Sequence, residues 1–211
     1  QLSIPFPKYN LAINNLSHGS MTGLMLTKIE ELIIIEKPQW ILVYGDTNST
    51  LAGALAASKL NLPIAHVEAG LRSYNLKMPE EINRILTDRI SKLLLCPTRS
   101  AVNNLHLEGF PHKSKYSKQI IKNVGDVMFD AMLFYKDVAY KKINLEDFDL
   151  KHKNYVICTI HREENLEDVI KLKNIINAIC KIAKEINVVI PMHPRTKAKL
   201  GKLNLLDKLK V

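Results

Sequence analysis

Between Met21 and Ile35, apolar residues recur at Leu24, Leu26, Ile29, Leu32 and Ile33, a spacing that predicts a helix. Trp40 to Tyr44 (WILVY) is a short apolar run ending in Gly-Asp-Thr, which predicts a buried strand opening into a loop. The Ala- and Leu-rich segment Thr50 to Leu60 predicts a second helix, capped by Thr47, Asn48 or Ser49. Pro63 to Glu68 predicts the next strand. Pro79 to Leu93 has its proline and two acids in the first turn, where the helix dipole favours them. Leu93 to Cys96 predicts a third strand, closed by Pro97. After a charged stretch from about Gly125 to Lys153, containing a helix at Val127 to Tyr135, the alternation resumes. It predicts a strand at Tyr155 to Ile160, one continuous helix from Leu166 to Glu185, and a strand at Val188 to Pro191.

Strands separated by helices of this length predict βαβ units and a parallel sheet. Such sheets place ligands beyond the carboxyl ends of their strands. Asp46, Glu68 and His161 all fall at such ends. The charged stretch reads as a domain crossing, giving units of residues 1–125 and 126–211. The second has only two strands, too few for a sheet that stands alone, and with the missing initiator Met this predicts a fragment.

Composition narrows the classes. The 211 residues are 46% hydrophobic and 24% charged, an ordinary globular mixture. No apolar run approaches the roughly 18 residues of a membrane span, and no secretory signal opens the chain. Three cysteines without a CxxC pair argue against a disulfide framework or a structural zinc, and fit a reducing cytoplasm. The net charge of +9 is uneven, +1 over residues 1–112 and +8 over 113–211. Most of that surplus is Lys scattered among acids, which reads as a solvated surface. No nucleic-acid motif accompanies it.

Three carboxylates, Asp46, Glu68 and Glu80, stand where strands or turns open toward helices. Near a ligand, carboxylates divide acid and base roles when their surroundings push their pKa values apart. Taken singly, Asp46 reads equally as a cap or turn residue, Glu68 as a surface group and Glu80 as a dipole-favoured acid. His161-Arg162 and His193-Pro194-Arg195 repeat one pattern at successive strand ends and suit an anionic ligand. Only six arginines occur, and Arg72, Arg84, Arg162 and Arg195 lie in these loops or helix starts, where bidentate anion contacts would use them. Neither GxGxxG, a P-loop nor a nucleophile elbow is present.

The segment VYGDTNSTLAGALAASKLNLPIAHVEAGLRSYNLKMPEEINRILTDRIS (Val43 to Ser91), with THREENLED (Thr159 to Asp168) and PMHPRT (Pro191 to Thr196), resembles the non-hydrolysing UDP-N-acetylglucosamine 2-epimerase family. The resemblance implies an α/β fold of two Rossmann-like domains facing a cleft (GT-B-like), both incomplete here. It would make residues 1–125 the N-terminal domain without its first strands, and 126–211 the start of the nucleotide-binding domain. It implies elimination of UDP across C1–C2 of UDP-GlcNAc and re-addition with the C2 proton on the other face, giving UDP-ManNAc. Asp46, Glu68 and Glu80 match the family's catalytic carboxylates and His161 its active-site histidine. Arg84, Arg162 and His193 match nucleotide or effector contacts. The resemblance also implies no metal and no redox cofactor, a UDP-sugar as the partner, no nucleic acid or membrane, a homodimer at full length, and products that feed bacterial surface polysaccharides. Because the match covers the family's middle, a fragment with little or no activity alone is expected. Alternative readings are a 2-epimerase for a UDP-2,3-diacetamido-uronic acid, a hydrolysing epimerase, and a non-catalytic remnant.

Overall fold

A computed structural model describes residues 4–112, 118–152 and 154–209. The helix expected from residue 21 begins three residues earlier, as α1 (His18–Glu36), with Ser17 capping it through its side chain. The strand β1 (Ile41–Tyr44) then leads into α2 (Asn48–Lys59). Thr47 holds the N-cap position of α2, yet its hydroxyl meets Ser49 Oγ (2.8 Å) and Thr50 Oγ1 (3.1 Å) rather than the helix backbone. Ala52, Ala54, Ala56 and Ala57 are fully buried in α2. Their small side chains favour helix and let it lie close against α1.

The strands β2 (Ile64–Val67) and β3 (Leu93–Cys96) flank α3 (Pro79–Ile90). Neither α4 (Arg99–Leu107) nor β4 (Ile120–Asn123) is foreseen in the sequence. All four strands run parallel in the order β1-β2-β3-β4. Register aligns Val43, His66, Leu94 and Ile121 in one row, and Leu42, Ala65, Leu93 and Ile120 in the next. The first row is the covered one, with Val43 at 7% exposure and His66 and Leu94 at zero. On the second face Leu42 and Ile120 are exposed, as is Tyr44 one row further. The sheet is thus packed on one side and half bare on the other.

Contacts divide the chain between Leu133 and Phe134, within the long helix α5 (Val127–Lys142). In the second unit β5 (Tyr155–Ile157) and β6 (Asn187–Val189) pair in parallel. The continuous helix expected from Leu166 is interrupted. Asp168 is extended (φ −78°, ψ 104°), ending α6 (Glu163–Glu167) and capping α7 (Val169–Ile182) by accepting from the N–H groups of Ile170 (2.9 Å) and Lys171 (3.0 Å). A carboxylate that can satisfy two free helix N–H groups ends one helix and starts another. Ile160, Leu166, Leu172, Ile176 and Ile179 join Leu200 of α8 (Pro194–Lys202) in one core. Among the described residues no helix is long and apolar enough to cross a membrane.

Candidate active site

Pairing of Tyr44 with Val67 sets the ends of β1 and β2 side by side. Beyond them lie Gly45-Asp46 and Glu68. Gly45 has φ +66°, and its N–H donates to the Val67 carbonyl at 3.1 Å. A Cβ here would stand 3.3 Å from Glu68 Oε2, so the Glu68 carboxylate lies against this turn and a larger residue would crowd it. Glu68 itself holds φ +76°, a backbone state that costs a non-glycine residue about 1–3 kcal/mol and collects at functional sites. Its N–H and that of Ala69 both donate to the Leu95 carbonyl, at 3.0 and 3.1 Å, which holds the strained turn in place. Burial first, then the charges of Asp46 and Asp126, push the Glu68 carboxyl above the usual carboxylate range, while Arg84 and His66 oppose the rise.

Arg84 rises from α3 to meet this pair. It ion-pairs with Asp46 through Nη2 and with Glu81 Oε2 through Nη1 at 2.8 Å. Asn83 donates its amide to the Asp46 carbonyl (2.9 Å) and to Asn48 Oδ1 (3.2 Å). Asp46 is therefore a charge partner and not the cap of α2. The sequence reading passed over Asn83 and Glu81. Their signal was present, because i,i+3 spacing puts Glu81 and Arg84 on one face of a helix.

Glu80 and Glu81 take opposite fates. Glu80 is exposed in the first turn of α3, whereas Glu81 is 1% exposed and accepts the N–H groups of Ser73 and Tyr74, both at 2.9 Å. Burial raises the Glu81 carboxyl, but these two hydrogen bonds and Arg84 outweigh it, leaving it below the usual range. A carboxylate lowered on folding stabilises the fold above its unfolded pKa of about 4.3, and that contribution disappears as pH falls through the lower folded value. Glu81→Gln is expected to cost about 1–3 kcal/mol at pH 7, the penalty of disturbing a buried acceptor. Urea titrations at pH 7 and below pH 4 check this, with the difference between parent and variant shrinking at the acid end.

Arg72, grouped by sequence with the ligand-binding arginines, is spent elsewhere. Its side chain is 1% exposed, pairing Asp88 Oδ2 at 2.8 Å and both Glu108 oxygens at 2.6 and 2.8 Å. A guanidinium enclosed by two carboxylates has no edge left for a ligand.

In the second unit, His161 and Arg162 follow β5, and His193 follows β6 as the N-cap of α8. All three are exposed at the carboxyl ends of neighbouring parallel strands. His193 Nδ1 accepts the Arg195 N–H at 3.2 Å. Thr196 donates its hydroxyl to the Ile160 carbonyl, tying the start of α8 to the residue before His161. Within PMHPRT, the sequence alone gives Thr196 no role. The two motifs at these strand ends are thus joined by a buried hydrogen bond.

A family model described as UDP-N-acetylglucosamine 2-epimerase matches residues 1–211. The chain belongs to the UDP-N-acetylglucosamine 2-epimerase family. It is 53% identical over 208 residues to the UDP-2,3-diacetamido-2,3-dideoxy-D-glucuronate 2-epimerase of Pseudomonas aeruginosa, covering 97% of this chain and 56% of that protein. It is 45% identical to the UDP-N-acetylglucosamine 2-epimerase of Methanocaldococcus jannaschii, covering all of this chain and 57% of the relative. The solved structure of an M. jannaschii UDP-GlcNAc 2-epimerase in complex with UDP-GlcNAc and UDP superposes with a TM-score of 0.82 over 98% of this chain. That of the Neisseria meningitidis UDP-GlcNAc 2-epimerase bound to UDP-GlcNAc gives 0.78 at 32% identity, covering 93% of this chain and 55% of that one. The chain spans little more than half the length of these epimerases. Its two units are parallel α/β assemblies of the GT-B-like kind found in the family, each shorter than a complete Rossmann-like domain.

Proposed function

We propose that this chain supplies the reacting carboxylates of an enzyme that inverts C2 of a UDP-2-acetamido sugar by eliminating and re-adding UDP. The observation that carries the reading is the pairing of Glu68 with Asp46, one carboxyl raised by burial and its neighbour, the other ion-paired with Arg84. The C2 hydrogen of the substrate is not beside a carbonyl, so no enolate is available to ease its removal. In the forward step a base takes the C2 proton, the C2–H pair becomes the C1=C2 bond, and the C1–O pair departs on the UDP β-phosphate. Re-addition returns a proton to the other face of C2 and the phosphate oxygen to C1. A carboxyl poised above its usual range exchanges protons near neutrality more readily than an ordinary one, so Glu68 takes the proton-transfer role. Asp46, ion-paired with Arg84, opposes positive charge at C1. Glu80 stands as the exposed third carboxylate of the set. Within the second unit, His161, Arg162 and His193 are the candidate contacts for a nucleotide diphosphate.

UDP-GlcNAc is the first candidate substrate. The 53% identity to the Pseudomonas protein favours a second, a UDP-2,3-diacetamido-uronate. Incubation of each sugar nucleotide in deuterated water, with protein expressed from the complete reading frame, separates them by NMR. Deuterium at C2 together with the 2-epimer is expected for one substrate. Free sugar with UDP would indicate a hydrolysing enzyme, and no exchange with either would overturn the reading. The 211-residue chain assayed alone is expected to show at least 10-fold slower exchange than the complete protein, since it spans little more than half the length of its relatives.

A further inference from the structure

His66 occupies the middle of β2, the strand buried at every position, between Val43 and Leu94 in the covered row. A polar ring placed there costs stability unless both nitrogens find partners. Nδ1 lies 2.7 Å from Asp88 Oδ1, and Nε2 lies 2.8 Å from the Gly45 carbonyl oxygen. A carboxylate and a carbonyl only accept hydrogen bonds, so the ring that satisfies both carries a proton on each nitrogen. The other Asp88 oxygen accepts from Gly70 N–H (3.1 Å) and Arg72 (2.8 Å), and Arg72 closes the set on Glu108. The His66 ring, Asp88, Arg72 and Glu108 thus form one connected network beneath the turn.

The carbonyl that His66 holds belongs to the peptide bond joining Gly45 to Asp46. Gly45 is consequently fixed to β2 twice, by its own N–H on Val67 and by the His66 ring. Two residues after His66, just past the end of β2, the chain reaches Glu68. We infer that His66, as a doubly protonated ring, is a positioning residue for the proposed C2 proton transfer: it pins the Gly45–Asp46 peptide and sets a buried positive charge behind the Asp46–Glu68 pair. The inference rests on the reading of those two carboxylates as the reacting groups.

Asn and Gln divide the ring's two contacts. His66→Asn places an amide near the Nδ1 position, where it donates to Asp88 and leaves the Gly45 carbonyl without its donor. His66→Gln reaches toward the Nε2 position and restores that donor without the charge. In either variant Asp88 keeps Arg72 and Gly70, so the fold retains its main anchor. In protein from the complete reading frame, His66→Asn is expected to lower kcat for C2 exchange about 100-fold, the scale of a small misplacement of reacting groups, with KM changed less than about threefold. His66→Gln should recover about tenfold of the loss. Glu68 is faced by Asp46, Asp126, Arg84 and His66, and removing the last cation should move the acid limb of the rate profile to higher pH in both variants.

An Asn variant with kcat within about threefold of the parent overturns the inference. So do equal losses in Asn and Gln accompanied by matching changes in KM and melting, which mark a merely structural ring. Should the parent itself exchange no C2 hydrogen, the proposed reaction fails, and the ring is then judged by 15N NMR of the unliganded protein. Protons on both His66 nitrogens, with the Asp46 amide resonance displaced in the Asn variant and not in the Gln variant, support the clamp. A singly protonated ring overturns it.

Discussion

Glu68→Gln is expected to reduce deuterium incorporation at C2 by about 10²–10⁴-fold, the usual contribution of a positioned acid or base. The same substitution should leave the first unit folded and, near neutral pH, at least as stable as the parent. The two effects have one source. A carboxyl whose folded pKa exceeds its unfolded value binds its proton more tightly in the folded state, so ionisation at neutral pH opposes folding. That handicap lessens as pH falls through the raised folded value and is gone below the unfolded one. Gln has no charge to repel Asp46 or Asp126, and so escapes the handicap altogether. Melting curves followed by the fluorescence of Trp40, the single tryptophan, should therefore show the variant level with or above the parent at pH 7, with the gap closing toward pH 4. A variant that lost both exchange and stability at pH 7 would place Glu68 in the scaffold.

Gly70→Ala is expected to lower stability by at least about 3 kcal/mol or to prevent folding of the first unit. Gly70 has φ +80°, and a Cβ there would drive into the Ala101 carbonyl, 2.9 Å from its carbon and 3.0 Å from Leu105 Cγ. The obstacle is mainly helix backbone, which has no rotamer to escape into. The loop cannot withdraw either, because Gly70 N–H is held by Asp88 and its carbonyl by Asn104 Nδ2 at 3.0 Å. Gly109→Ala is the control. Its φ is +82°, yet nothing lies within 4 Å of the added atom, so only the backbone penalty of about 1 kcal/mol applies. Urea unfolding of both variants should separate by 2 kcal/mol or more, estimated as the difference between a steric clash and a conformational cost. Equal losses would show that α4 yields.

Much of the fold was legible because its apolar runs are short, bounded and different in period. WILVY, PIAHVE and LLLC appeared as strands since each ends in a glycine, proline or acid. The missed elements lack that contrast. In α4 only Ala101 and Leu105 are buried, and β4 is largely exposed, so neither prints a strong pattern. Asp168 hid for another reason: a cap residue inside a long amphipathic run reads as one more polar position until its two backbone donors are seen. The candidate carboxylates were readable from the strand ends and from the family resemblance. Their partners were not. Arg72 looked available and Glu81 read only as a second acid in the first turn of its helix, because sequence spacing does not say which charge the fold has already neutralised. His66 sat in an apolar strand, where a lone histidine looks incidental until Gly45 and Asp88 flank it.

The bare face of the first sheet has a practical consequence in the laboratory. Leu42, Tyr44 and Ile120 offer solvent an apolar patch in the native state, and so do Met128, Phe129 and Met132 of α5. Environment-sensitive dyes that report unfolding by binding greasy surface will already glow on the folded chain. Their signal at low temperature is expected to be high and its rise on heating shallow, which an operator would mistake for a molten preparation. Near-ultraviolet circular dichroism responds to fixed aromatic packing instead, and distinguishes a well-ordered chain with sticky skin from a disordered one.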